Sequence, residues 1–360
     1  MLELHGIPHE ILRPATLAQG VDMARKVSET SRIVAAAGGD GTINAVASGV
    51  AGTGCCLGIL PVGSGNDIAR GLHIPRKLDS SVALLADGYR MLQYGESASI
   101  QPPIASIQEM DIGTARLLRF AHVSGGKSHA PCRDLDADGQ MDCFFINTLG
   151  CGFDGKVALI ASGMPPAVGR WKYLIGVMKS LFTYKVSRMT VTADGVTWSG
   201  RYLMATVANG PVEGGGIRIA PDADPGDGLF DLVLILDTGV IARIPLLLRV
   251  LLRGASGSSK ILVQRCREVR IESDRPLIVH CDGEIPGDSA IKNDGTKSGG
   301  STKSGGGADT GKGTNSANLK SVNSNSGSSR ESHGGFWGIE AGILSGRLTV
   351  LTGLELKRRT

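Results

Sequence analysis

Aromatic side chains are scarce, 4% of 360 residues. That leaves few rings for stacking unpaired bases and argues against a single-strand or RNA-binding platform. Charge of one sign is also lacking, since 38 Lys and Arg face 34 Asp and Glu for a net +4. No whole-surface nucleic-acid binder is indicated, and an anionic partner would have to meet a local patch. Cysteine is sparse and unpatterned: the seven (Cys55, Cys56, Cys132, Cys143, Cys151, Cys266, Cys281) are odd in number and form no C-x-x-C. Reduced thiols in a cytoplasmic protein fit that usage. Long apolar runs are missing as well. The most apolar stretch, 240–252, is broken by Arg243, Pro245 and Arg249 and falls short of the ~20 residues that span a bilayer. Residues 1–14 have neither the apolar core of a signal peptide nor a transit pattern, so the chain is expected to start inside a fold.

What is present is enough apolar material, 41%, for two ordinary cores. An apolar, buried strand is expected at 33–37, ending in Gly38-Gly39-Asp40-Gly41-Thr42 and followed by a helical pattern at 42–50. The unit then repeats as a strand at 56–60, a turn at 61–65 and a helical segment at 66–72 that ends before Pro75. Such alternation predicts a parallel sheet covered by helices. A further helix is expected at 78–86, its start marked by Asp79 and the paired serines. Beyond Asp111 the pattern turns to strands. Residues 186–193 and 196–207 flank the hairpin signal Asp194-Gly195, and 229–236, 267–272 and 277–281 add more. Helices at 170–184 and 240–253 interrupt them. Residues 288–335 hold almost no large apolar side chain and predict a disordered insertion, after which 347–351 supplies a last strand. The expected division is 1–111, then 112–287 with 336–360, around the insertion at 288–335.

Two loops carry chemistry. At Gly38–Thr42 the backbone N–H groups and helix dipole can meet phosphate oxygens, or Asp40 or Thr42 simply caps a tight turn. No Walker A lysine or G-x-G-x-x-G accompanies it, which disfavours P-loop and dinucleotide readings. The second loop, Pro61-Val62-Gly63-Ser64-Gly65-Asn66-Asp67-Ile68-Ala69-Arg70, offers Ser64 and Asn66 to a phosphate or ribose and Asp67 to a metal or water. An Asx-capped helix is its plainer reading. Loops at two adjacent strand ends form one crevice.

These loops, followed by Asn209-Gly210, Gly214-Gly215-Gly216, Pro221-Asp222-Ala223 through Asp227-Gly228, and Asp282-Gly283-Glu284, resemble the diacylglycerol kinase catalytic family in order and spacing over nearly the whole chain. The likeness is to soluble bacterial-type lipid kinases and their sphingosine-kinase relatives. It implies an α/β protein of two domains, an N-terminal Rossmann-like parallel nucleotide-binding domain and a C-terminal, mainly antiparallel β-sandwich. It further implies ATP and a lipid headgroup in the cleft between them, Mg²⁺, and a lipid substrate met at a membrane surface, with a homodimer left open. By the same resemblance the nucleotide site takes in Thr16, Gly39, Asp40, Gly41, Thr42, Asn44, Gly63, Ser64, Asn66, Asp67 and Asp111. A structural Mg²⁺ falls to Asp224, Asp227 and the backbone of Leu229, and the proton acceptor is Glu284 with Asp282 beside it. As alternating residues on a continuing strand, those two carboxylates are expected on one face.

One feature departs from the family, whose members begin with a strand and an N-P-x-S-G loop that has no counterpart before Ile33. Either Met1 is internal to the full protein or the nucleotide site is incomplete. Sphingoid-base phosphorylation, an NAD-kinase-like small-molecule activity and a non-catalytic lipid-binding role are the alternatives to diacylglycerol phosphorylation. Two further stretches invite a reading. Asp134, Asp136, Asp138 and Gly139 open like a Ca²⁺ loop, but position twelve is Phe145, so a solvated acidic hairpin is favoured. Trp171, Lys172, Tyr173, Lys179, Phe182, Tyr184 and Lys185 could rest on an anionic leaflet, while Leu174, Val177, Met178 and Leu181 are expected to pack inward.

Overall fold

The computed structural model describes residues 3–95, 99, 104–120, 140–169, 171–286 and 336–353. The expected insertion at 288–335 and the acidic run at 134–139 lie outside them. Strand β1 (Ile33–Gly38) pairs in parallel with β2 (Cys56–Pro61), and β2 pairs in parallel with the far end of β12 (Phe336–Gly353) at Thr349 and Val350. Helices α1 (Leu17–Ser28), α2 (Asp40–Val50), α3 (Asp67–Gly71) and α4 (Leu78–Tyr94) follow or precede these strands. Sandwiched by helices, β2 is buried at every position, as a central parallel strand should be. The expected burial of β1 is corrected: it lies at the sheet edge, and only Ala36 is fully buried.

The remaining strands are mainly antiparallel. Long β3 (Ala105–Phe120) runs against β12 for nearly its whole length and also pairs with β4 (Met141–Phe145). From β12 the sheet continues through β10 (Glu268–Leu277), β6 (Ser187–Ala193), β7 (Val196–Ala208), β5 (Thr148–Gly152) and β11 (Val279–Cys281), with β8 (Phe230–Leu236) and β9 (Ile261–Cys266) beyond β7. The β6–β7 connection is the expected two-residue turn, with Asp194 at φ 44° and Gly195 at φ 83°, the positive φ pair of a type I′ hairpin.

Two cores result, and β12 serves both. Ile339 and Ala341 join the core of the antiparallel half, whereas Leu348, Val350 and Leu351 join the core under the parallel strands. The register of β12 against β3 shifts between Leu344 and Leu348, where the strand passes from one core to the other. In β8 the alternation is two-sided: Phe230, Leu232 and Leu234 face the antiparallel core, and Val233 and Ile235 face a third cluster under helices α5 (Phe153–Ser162), α6 (Trp171–Thr183) and α7 (Val240–Arg253). On α6, Leu181 is buried as expected, but Leu174 and Met178 are 43% and 53% exposed. The helix has a second apolar stripe turned outward, and the expectation for those two residues is corrected. Five cysteines (Cys55, Cys56, Cys151, Cys266, Cys281) are free and buried. Cys143 departs from the reduced state expected, being disulfide-bonded.

Phe145 is the keystone of the antiparallel core. Fully buried, it lies 5.4 Å from the Phe230 ring centroid, and its cross-strand partner Gly113 has no Cβ because one would sit 2.1 Å from the ring. Phe145→Ala is expected to cost about 3–5 kcal/mol, read as a lowered urea midpoint at unchanged slope.

Candidate active site

The two glycine loops meet backbone to backbone at the strand ends of β1 and β2. A Cβ on Gly63 would approach Gly39 Cα to 2.3 Å, and one on Gly38 would strike Thr42, so glycine is required for the approach itself. Asn66 holds the second loop in place from a left-handed conformation (φ 57°), its amide accepting from Gly63 N at 3.0 Å and donating to Gly63 O at 2.8 Å. Ser64 is left exposed on the loop. Asp40 does not cap its own helix. Its Oδ1 accepts from Ile68 N at 3.0 Å, which locks the first loop onto the start of α3.

Asp67 accepts from Gly215 N at 2.7 Å and pairs with Arg70. Burial raises its pKa to about 6, assisted by the charge of Asp40 and opposed by the Gly215 bond and Arg70. Burial likewise raises Asp40, against the amides at the start of α3.

Opposite these loops the two carboxylates of the Asp-Gly-Glu motif part company. The strand does not continue: Asp282 (φ 50°) and Gly283 (φ 83°) form a tight turn in which Cys281 and Glu284 exchange both backbone hydrogen bonds at 2.9 Å. Asp282 points inward and accepts from the amides of Ile146, Asn147 and Thr148 at 2.9, 2.9 and 2.8 Å and from the Asn44 side chain. This corrects the expectation of a shared face, because positive φ at both turn residues reverses the chain instead of extending it. Burial raises the Asp282 pKa against those four donors. Glu284 turns the other way, onto the first turn of α2, where a Cβ on Gly41 would lie 2.8 Å from its Oε1.

The site therefore gathers Gly39, Asp40, Gly41, Thr42, Gly63, Ser64, Asn66, Asp67 and Glu284 around one cleft, with Asn44 behind it on Asp282. Tyr173 of α6 marks the far wall. Burial raises its phenol pKa, and the negative charges of Asp40, Asp67, Glu284 and Glu213 add to the rise. Glu213 escaped the sequence reading, its only signal being its place in the Asn209-to-Gly216 glycine run, and Tyr173, singled out there for a membrane surface, was not expected at the cleft.

Five expected site residues lie elsewhere. Thr16 is exposed and caps α1, its hydroxyl accepting from Gln19 N at 3.1 Å. Asp111 is buried and accepts from Gly228 N at 2.7 Å and Gly346 N at 2.9 Å, so it ties the 222–229 loop to the irregularity in β12. In that loop Asp224 Oδ1 accepts from Gly226 N, and Asp227 accepts from Leu229 N and pairs with Arg265. The donors of Asp224, Asp227 and Leu229 are hard oxygens of the class Mg²⁺ takes, yet the Arg265 guanidinium already neutralises Asp227, and a cation would compete with it.

The pKa of Asp67 sets a pH dependence. A carboxyl raised from 3.8 to about 6 in the fold gives stability that is full below the unfolded value and is lost as pH rises through the folded one. Asp67→Asn is expected to flatten the fall in melting temperature between about pH 4 and pH 6, followed by differential scanning calorimetry. An unchanged slope would remove Asp67 from the account.

Comparison with known proteins follows the same geometry. The diacylglycerol kinase catalytic domain matches residues 1–92 and the YegS C-terminal NAD kinase beta sandwich-like domain matches residues 147–294. A diacylglycerol kinase of Bacillus subtilis (strain 168) is 26% identical over 259 residues, 71% of this chain and 72% of that protein. A probable lipid kinase YegS-like protein of Yersinia pestis (strain Pestoides F) is 28% identical over 223 residues, 59% of this chain and 62% of that protein. A crystal structure of a diacylglycerol kinase from Bacillus anthracis str. Sterne superposes with a TM-score of 0.55 at 16% identity, covering 95% of this chain and 84% of that one, which establishes the shared fold. Both halves of the chain are thus matched in order, the first by the diacylglycerol kinase catalytic domain and the second by the YegS C-terminal domain, and at family level the likeness is to lipid kinases.

Proposed function

We propose that the protein transfers the γ-phosphate of ATP to a hydroxyl of diacylglycerol or a closely related lipid. The observation that carries this reading is the placement of Glu284 against Gly41, at the helix start where the two glycine loops present backbone N–H groups. Phosphoryl transfer asks the protein for alignment, charge neutralisation and a proton acceptor rather than for covalent chemistry. The loops would hold the phosphates, and Glu284 would take the proton of the lipid hydroxyl. Asp282, with its oxygens engaged by three amides and Asn44, would hold the turn and not the proton. Four carboxylates in one cleft would repel a bare triphosphate, so ATP would enter with Mg²⁺ neutralising its phosphates. At Asp224 and Asp227 a second, structural Mg²⁺ would have to share the site with Arg265.

Labelled ATP offered with diacylglycerol, phosphatidylglycerol, sphingosine and ceramide in mixed micelles tests the reading, with diacylglycerol expected to be labelled. Glu284→Gln keeps the shape and removes the base, and is expected to lower kcat at least ~10²-fold while ATP binding persists. Near-normal turnover by that variant would overturn the assignment.

The lipid would be met at an anionic membrane surface. Support comes from α6 and α7, which pack together and contain no acidic residue. Trp171, Leu174, Ile175, Met178 and Phe182 form one exposed stripe along α6, and Ile241, Ile244, Leu248 and Leu252 form one along α7. Exposed Lys179, Lys185 and Arg253 adjoin them. Exposed apolar stripes with basic neighbours suit an interfacial helix pair. Among the described residues no helix is long and apolar enough to cross a membrane. Phe182→Glu with Leu252→Glu is expected to weaken cosedimentation with phosphatidylcholine vesicles containing phosphatidylglycerol by at least ~10-fold, without loss of melting temperature.

A further inference from the structure

Behind the cleft lies a polar cluster that the proposed chemistry does not use. His280 is fully buried on β11, two residues before the turn, and its Nδ1 accepts from Gly283 N at 3.2 Å. Its Nε2 lies 3.1 Å from Glu213 Oε1 and 3.8 Å from Asp154 Oδ2. Asp154 is fixed in turn by Gly155 N and the Thr206 hydroxyl, both at 2.8 Å. The cluster leaves no room for a side chain at residue 150: a Cβ on Gly150 would come to 2.2 Å from Asp154 Oδ2 and 2.3 Å from His280 Nε2.

The ligand atoms of Asp154, Glu213 and His280 fall within 4.8 Å of one another, a spacing open to a metal. The ring argues against one. A metal on Nε2 requires the ring proton on Nδ1, and a ligating histidine ordinarily donates that proton to an acceptor. Here Nδ1 faces an N–H donor. The arrangement instead makes Nε2 the protonated nitrogen, beside two carboxylates, and leaves Nδ1 to hold the turn.

We infer that His280 is a positioning residue for Glu284, clamping the Asp282–Gly283 turn through Nδ1 and joining it through Glu213 to the loop that holds Asp67. The second half of that link is on the same short segment: Glu213 reaches His280, and Gly215 N reaches Asp67. The turn is thus gripped twice, by Asp282 against β4 and β5 and by His280 against the 213–217 loop. Glu284 is one residue from Gly283 and two from Asp282. The catalytic part of this inference rests on the lipid-kinase reading; the clamp itself does not.

A pair of variants separates the two ring nitrogens. In His280→Asn the side-chain oxygen can stand where Nδ1 stands and accept from Gly283 N, with no group reaching Glu213. In His280→Gln the amide reaches toward Glu213 and Asp154, with no acceptor at the δ position. Amide hydrogen exchange of Gly283 is expected to stay slow in wild type and His280→Asn and to accelerate at least ~10-fold in His280→Gln. In the labelled-ATP assay His280→Asn is expected to keep kcat within ~3-fold of wild type and His280→Gln to lose at least ~10-fold, with the KM for ATP within ~2-fold in both. Equal exchange and equal kcat in the two variants would overturn the inference and leave His280 a core residue. If wild type phosphorylates none of the lipids, the kinase reading fails, and Gly283 exchange alone still decides the clamp.

Discussion

Everything at the cleft depends on one buried carboxylate. Asp282 accepts hydrogen bonds from three consecutive backbone amides between β4 and β5 and from Asn44 on α2. A carboxylate withdrawn from water is tolerated only when donors replace its hydration, and here the donors come from both halves of the chain. Asn44 belongs to the helix that opens at the first glycine loop, and the amides belong to the antiparallel half. The same bonds that satisfy the charge hold the Asp-Gly-Glu turn beside the first glycine loop, and so place Glu284 against Gly41 at the start of α2.

The second constraint is the sheet itself. Because β3 and β12 run through both cores, the halves are joined by paired backbone and not by a linker alone. Asp111 reinforces the crossing, bonding to Gly346 in the irregular part of β12 and to Gly228 in the 222–229 loop. A cleft built on continuous strands keeps its walls in register. The outward surface of α6 and α7 stands apart from this framework and carries the exposed apolar stripes.

The electrostatics of the cleft follow from this closeness. Asp40, Asp67, Glu213 and Glu284 all act to raise the Tyr173 phenol, with Arg70 as the cation paired to Asp67. An excess of negative charge disfavours an uncompensated anion, and it is the reason the reading needs a divalent cation with the nucleotide. It also explains why Asp40 is spent on the amide of Ile68: an N–H at a helix start is the cheapest available neutraliser of a buried carboxylate.

Much was legible in the chain alone. Glycines at 38, 39 and 63, the alternation of strand and helix, the Asp194-Gly195 hairpin and the span of α7 follow from local rules, since a tight turn, a close backbone approach or an apolar period leaves its mark within a few residues. Strands β3, β4 and β5 and helix α5 were not legible, and neither was the exposure of the second stripe on α6, because burial on a given face depends on what packs there. The fate of the Asp-Gly-Glu motif shows the boundary most clearly. Sequence placed both carboxylates at the site, but only the tertiary structure decided that one turns inward to four donors and the other outward to the helix start. That choice rests on backbone amides roughly 135 residues away in the chain, and no local pattern records them. His280, Glu213 and Asp154 are further cases: each is unremarked in its own segment and acquires a role only when β11, the 213–217 loop and α5 are folded against one another.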